Sequence, residues 1–180
     1  MTKVRFDTFY RYEPLTEILE SFVAEHSQLC SLESLGKSFE GRDIWLVTLT
    51  NSETGPHLEK PAFWIEANIH SVEVTSSAAA LHLIHYALDS YGSNEKVTRA
   101  LDTRTLYVVP RLNPDGAEAA LADQPRLFRS SSRPYPRKEP KDGLHREDID
   151  GDGRLLTMRI PDANGPWKIH PDEPRLMIRR

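Results

Sequence analysis

Residues 62–73 read Ala62-Phe63-Trp64-Ile65-Glu66-Ala67-Asn68-Ile69-His70-Ser71-Val72-Glu73. Ala62 to Asn68 is an apolar run of strand length and predicts a mostly buried strand. From Glu73 to about Tyr91, Val74, Ala78, Leu81, Ile84 and Leu88 recur at helical spacing and predict a helix. His70 and Glu73 therefore sit at a strand-to-helix turn, where ligand groups gather in open α/β sheets. An imidazole nitrogen and a carboxylate oxygen three residues apart suit one zinc ion, and a catalytic zinc takes three protein ligands and a water. The pair supplies two of the three. Glu66, within the strand, reads as an edge carboxylate or a support for the pair.

Working outward, Leu15, Ile18, Leu19, Phe22 and Val23 mark an amphipathic helix from Pro14 to about His26. Ser34–Lys37 and Asp43–Thr50 read as two strands turned at Gly41, with Ile44–Thr50 rich in strand formers. Thr105–Val109 is a further strand. A helix between it and the Ala62 strand predicts a crossover and a parallel pair. Asn113-Pro114-Asp115-Gly116 has turn chemistry, and a short helix over Ala117–Ala122 follows. From Ser130 onward lie seven of the thirteen prolines and many charges, and only Leu155–Ile160 offers a candidate element.

At 180 residues, with 38% hydrophobic and 28% charged residues, a single α/β domain is expected. A net charge of −4 gives no electrostatic case for nucleic acid, and no apolar run is long enough to predict a membrane span. Cys30 is the only cysteine, so no intrachain disulfide is expected. The N-terminus shows no signal-peptide pattern, which predicts a cytoplasmic protein, or a secreted one if a leader has been removed.

Four motifs, in order, resemble the zinc carboxypeptidase family of carboxypeptidase A-like metallopeptidases. Ser34 to Ile44 is similar to its G-x-S-x-x-G-R-x-I hairpin, and Ile69 to Glu73 to its first zinc motif, with Ser71 where the family usually has Gly. Pro110 to Gly116 is similar to P-x-x-N-P-D-G. Arg126-Leu127-Phe128-Arg129 resembles R-L-W-R, whose last arginine polarises the scissile carbonyl. The resemblance spans about Tyr10 to Arg129. It implies the N-terminal half of a mixed-sheet α/β/α zinc carboxypeptidase fold (phosphorylase/hydrolase-like) over residues 1–129. Residues 130–180 would be an irregular, proline-rich insertion or tail. It further implies Zn2+ held by His70 and Glu73, Arg129 as catalytic and substrate-binding residue, a peptide substrate and hydrolysis of its C-terminal bond by zinc-activated water.

The resemblance also implies a third histidine ligand, a glutamate base and an Asn-Arg pair, none found in a matching context. The segment is accordingly expected to be inactive alone. His82 and His85 fall about 14 to 18 Å along the helix from Glu73 and cannot share its ion. His145 and His170, in the tail, are the remaining candidates, whereas His26 and His57 read as surface residues. Asp148, Asp150 and Asp152 with Gly153 resemble a calcium loop, although Arg159 stands where a bidentate glutamate is needed. The alternative reading is aspartates capping local amides. Two rival functions remain: an aspartoacylase or succinylglutamate desuccinylase-like amidohydrolase, and a non-catalytic calcium- or protein-binding module. An open sheet edge predicts self-association.

Overall fold

Four strands, β1 (Cys30–Lys37), β2 (Asp43–Leu49), β3 (Ala62–Glu66) and β4 (Thr105–Val109), form a mixed sheet in the order β1-β2-β4-β3. The computed structural model describes residues 4–133, 148, 151–154 and 159–180. The chain divides into two compact units, Met1–Gly143 and Leu144–Arg180. In the first, β1 and β2 form an antiparallel hairpin, β2 pairs antiparallel with β4, and β3 runs parallel to β4. The parallel pair needs a crossover. Helices α2 (Val74–Ser90) and α3 (Glu95–Thr103) provide it.

The core lies where α1 (Tyr12–Glu25) and α2 meet the sheet. Leu15, Leu19 and Phe22 of α1, Leu81, Ile84 and Leu88 of α2, and Val47, Leu49 and Val108 of the strands share one cluster. Phe22, Leu49, Ile84 and Val108 are wholly buried. Each such side chain contributes about 1.5–3 kcal/mol relative to exposure, so this cluster carries the unit.

Several expectations need correction. β3 is not mostly buried: Phe63 is 65% and Trp64 49% exposed, and only Ile65 packs against the core. β3 is an edge strand among the described residues, with a partner on one side alone. β1 begins at Cys30, not Ser34. Most of it is exposed; the alternation at its start is only Cys30 and Leu32 facing the core, too short to stand out, and its pairing with β2 defines it instead. Helix α3 escaped the sequence reading because only Leu101 is buried along it. Its signal was Asn94, whose side chain accepts from the Lys96 and Val97 amides. Helix α4 (Pro114–Ala120) starts inside the Asn-Pro-Asp-Gly turn, with Asn113 as its N-cap and Pro in the first turn. His26 and His57 are half-buried rather than on the surface, and His57 pairs with the Tyr107 hydroxyl at 2.8 Å. The second unit holds an antiparallel hairpin of β5 (Trp167–Ile169) and β6 (Met177–Arg179). Strands this short carry too few residues for a readable period. Of the Leu155–Ile160 candidate, residues 155–158 lie outside the described residues, and Arg159 and Ile160 are in no regular element.

Three ion-pair or hydrogen-bond clusters make folding pH-sensitive. Lys37 and Ser34 hold the Asp43 carboxyl below the usual range, Arg42 does so for Glu40, and Asn51 and Tyr91 for Asp102. Folded values below unfolded ones lend stability that is present at neutral pH and lost as pH falls below about 4–5. Urea unfolding is expected to show a lower midpoint at pH 3 than at pH 7, and Asp102→Asn should narrow that difference.

Candidate metal centre

The loop after β3 is pinned at its start by the chain it lies beside. The Ala67 amide donates to the Val109 carbonyl, and the Leu112 and Asn113 amides donate back to Ala67 and Asn68 at 2.8 and 3.1 Å. His70 and Glu73 thus emerge at the carboxyl end of the parallel pair. Glu73 occupies the N-cap position of α2 but makes no side-chain cap there. Its Oε1 instead lies 2.9 Å from His70 Nδ1. The His70 side chain is 25% exposed and that of Glu73 49%, so as an ion pair alone the contact is worth little.

Ser71, between the two donors, is fully buried. Its amide donates to the Arg129 carbonyl at 3.3 Å and its hydroxyl donates to the Phe128 carbonyl. One serine therefore ties the segment carrying Arg129 to the loop carrying both donors. Arg129 itself is exposed, and Arg126 lies over the Phe128 ring at 5.7 Å.

The Asn113–Gly116 turn does more than turn. Asn113 Oδ1 accepts from the Gly116 amide, and its Nδ2 donates to the Ile69 and Ser130 carbonyls. Asp115 is 3% exposed. It accepts from Ser38 Oγ at 2.7 Å, the Glu40 amide at 2.9 Å and Arg42 Nη1 at 2.8 Å. The β1–β2 hairpin tip is thereby locked to the start of α4. Two motifs remote in sequence are one hydrogen-bonded unit beside the donor loop.

A family profile described as zinc carboxypeptidase matches residues 15–152. The chain belongs to the zinc carboxypeptidase family. Mouse carboxypeptidase M is 30% identical over 125 residues, which are 69% of this chain and 28% of the mouse protein. A zinc carboxypeptidase of Saccharothrix mutabilis subsp. capreolus is 29% identical over 63% of this chain and 26% of its own length. Bovine thrombin-activatable fibrinolysis inhibitor, solved with a tick carboxypeptidase inhibitor, has the same fold. Its TM-score is 0.61 at 19% identity, over 73% of this chain and 40% of that one. Carboxypeptidase A of Helicoverpa armigera gives 0.59 at 22%, over 67% and 28%. The chain spans between a quarter and a third of the two curated carboxypeptidases it matches here.

The donor pair fits the zinc that the family implies. With zinc–nitrogen and zinc–oxygen distances near 2.1 Å, tetrahedral donors stand about 3.4 Å apart. His70 Nδ1 and Glu73 Oε1 are within about 0.5 Å of that. Among the described residues no group of three His, Cys, Asp or Glu gathers as a metal site. His145 lies outside the described residues. His170 Nδ1 accepts from the Asp172 amide at 3.2 Å, a local turn contact. His82 and His85 pack edge-on to Phe6.

The acidic loop of the second unit has the local-capping geometry. Asp148 accepts from the Gly151 and Gly153 amides at 2.8 and 2.7 Å, and Asp152 accepts from the Arg154 amide. Asp150 lies outside the described residues. The calcium reading gains no support: among the described residues no group of three His, Cys, Asp or Glu gathers in this loop.

Sequence reasoning missed Asn68, whose side chain donates to the His70 carbonyl, and Asp115, which holds the hairpin tip to α4. Asn68 had one local signal, an asparagine directly after an apolar strand, where a left-handed residue is tolerated. Cys30 is buried and its thiol is pushed up to about 12 by that burial, which makes it a packing residue.

Proposed function

We propose that this chain carries the zinc-donor part of a metallocarboxypeptidase centre that removes the C-terminal residue of a peptide. The observation that carries the reading is the 2.9 Å approach of His70 Nδ1 and Glu73 Oε1, at the carboxyl end of β3. Zinc, when bound there, would lower the pKa of a water to about 7 and polarise the peptide carbonyl. His70 would bind as neutral imidazole through Nδ1, with Glu73 as its anionic partner. Arg129, whose main chain is tied to the same loop through Ser71, would offer its guanidinium where the tetrahedral oxyanion develops. That role stabilises the transition state more than bound substrate, so in a complete enzyme Arg129→Ala would lower kcat more than it raises KM. The mouse and Saccharothrix relatives are carboxypeptidases, which favours peptides over the acylated amino acids of an amidohydrolase.

The described residues offer two zinc donors and no general base in a matching place. The 180-residue chain is therefore expected to bind zinc weakly and to hydrolyse no peptide by itself. Calorimetry beside a His70→Ala/Glu73→Ala variant tests the first point: the double variant should lose all measurable heat of binding. Equal binding by both would defeat the assignment of the donors. Zinc-dependent release of C-terminal residues by the chain alone, abolished by His70→Ala, would overturn the incomplete-centre reading.

A further inference from the structure

We infer that Asn68 is the positioning residue of the donor loop, fixing the backbone on both sides of His70 so that its imidazole meets Glu73. Asn68 is 2% exposed and, among the described residues, is the one non-glycine with positive φ, at 57°. Its Nδ2 donates to the His70 carbonyl at 2.7 Å and to the Ser71 carbonyl at 3.4 Å. Its main-chain amide donates to Ser76 Oγ at 2.9 Å, and that hydroxyl donates to the Glu73 carbonyl at 2.6 Å. Its carbonyl accepts from the Asn113 amide. One residue thus reaches the carbonyls of His70 and Ser71 directly, and that of Glu73 through one hydroxyl.

The local choice is costly. A left-handed conformation is unfavourable for a non-glycine residue, though asparagine tolerates it best. Asn68 Oδ1 is also buried with no hydrogen-bond partner among the described residues, which adds a desolvation cost. Glycine would avoid both. What glycine lacks is the amide that holds the two carbonyls following the strand. Strain of this kind persists where the surroundings impose a geometry that function needs. Groups that orient metal ligands without touching the metal commonly tune affinity.

The metal part of the inference rests on the zinc reading above, and Asn68→Gly separates the two. The variant keeps the left-handed backbone and removes only the amide. Zinc affinity of the full chain is expected to fall about 10–100-fold. Amide exchange at Ser71 and Glu73, measured without metal, is expected to speed up. Wild-type affinity in the variant would overturn the inference. If the wild-type chain shows no His70-dependent zinc binding, the zinc reading fails instead. Metal-free exchange then decides: faster exchange in the variant supports positioning by Asn68, and unchanged exchange overturns it. Should Asn68→Gly not fold, the wild-type chain gives the answer. The Asn68 side-chain NH2 should exchange slowly with solvent, and fast exchange would overturn the role.

Discussion

Glu118→Ala is expected to lower the unfolding free energy by about 3–5 kcal/mol. Glu118 is 7% exposed and joins Arg11 and Tyr12, 107 and 106 residues away, to Arg111 of its own region. Oε1 accepts from the Tyr12 amide at 2.8 Å, at the start of α1, whose N-cap residue Arg11 makes no side-chain cap. Oε2 accepts from Arg11 Nε at 2.8 Å. Arg111 Nη1 lies 3.9 Å from Oε1. The three contacts differ in weight. The Arg11 side chain is 47% exposed, so that pair contributes under about 1 kcal/mol. The cap on Tyr12 is worth about 1 kcal/mol. Arg111 decides the rest. It is 5% exposed, it donates to the Tyr10 carbonyl, and its Nε and Nη1 have no hydrogen-bond partner among the described residues. Burial pulls its pKa down to about 10 against the opposing pull of Glu118. Removing the carboxylate leaves that cation buried without an anion. Glu118→Gln keeps an acceptor for Tyr12 and loses the charge, so about 1–3 kcal/mol is expected. Urea unfolding of both variants checks the order. An alanine variant within about 0.5 kcal/mol of wild type would show that Arg111 does not depend on Glu118.

These contacts show which parts of the molecule were open to sequence reading. The His70/Glu73 pair was legible because both donors lie within one turn, and local geometry brings them together. The parallel β3–β4 pair was legible because its crossover helix announced itself by periodicity. The Asp115 network was not legible, because Ser38 and Arg42 lie 77 and 73 residues away. Glu118 and Tyr12 are 106 residues apart, and no periodicity connects them. The burial of β3 failed for a different reason. An apolar run states what a strand could bury, but burial itself depends on which neighbours are present. The α3 helix failed because its cap, not its apolar face, carried the information. The 2.9 Å approach of His70 to Glu73 follows from local spacing, whereas the contacts that Asn68 and Ser71 make around it carry no such local signature.

Gly116→Ala is expected to disturb the donor loop from the opposite side. Gly116 has no positive φ, so its need is steric alone. A Cβ there would lie 2.6 Å from Asn113 Nδ2, 2.8 Å from Asn113 Cγ and 2.8 Å from Ser71 Cβ. None of these atoms is a free chain end. Asn113 is held by the Gly116 amide and by the Ile69 and Ser130 carbonyls, and Ser71, between His70 and Glu73, is fully buried. The methyl group forces one of two responses. Asn113 rotates and gives up the α4 cap, or the His70 loop retreats. Overpacking costs about 1–3 kcal/mol and the lost cap about 1 more, which places the total near 2–4 kcal/mol. Either response also moves Ser71, and with it the His70–Glu73 spacing. Zinc affinity is therefore expected to drop in parallel with stability, which a purely structural glycine would not require. An Asn113→Ala background distinguishes the two routes. There the clash with the asparagine is gone, so Gly116→Ala should cost measurably less than in wild type if Asn113 yields first. An equal cost in both backgrounds would instead locate the conflict at Ser71, within the donor loop itself.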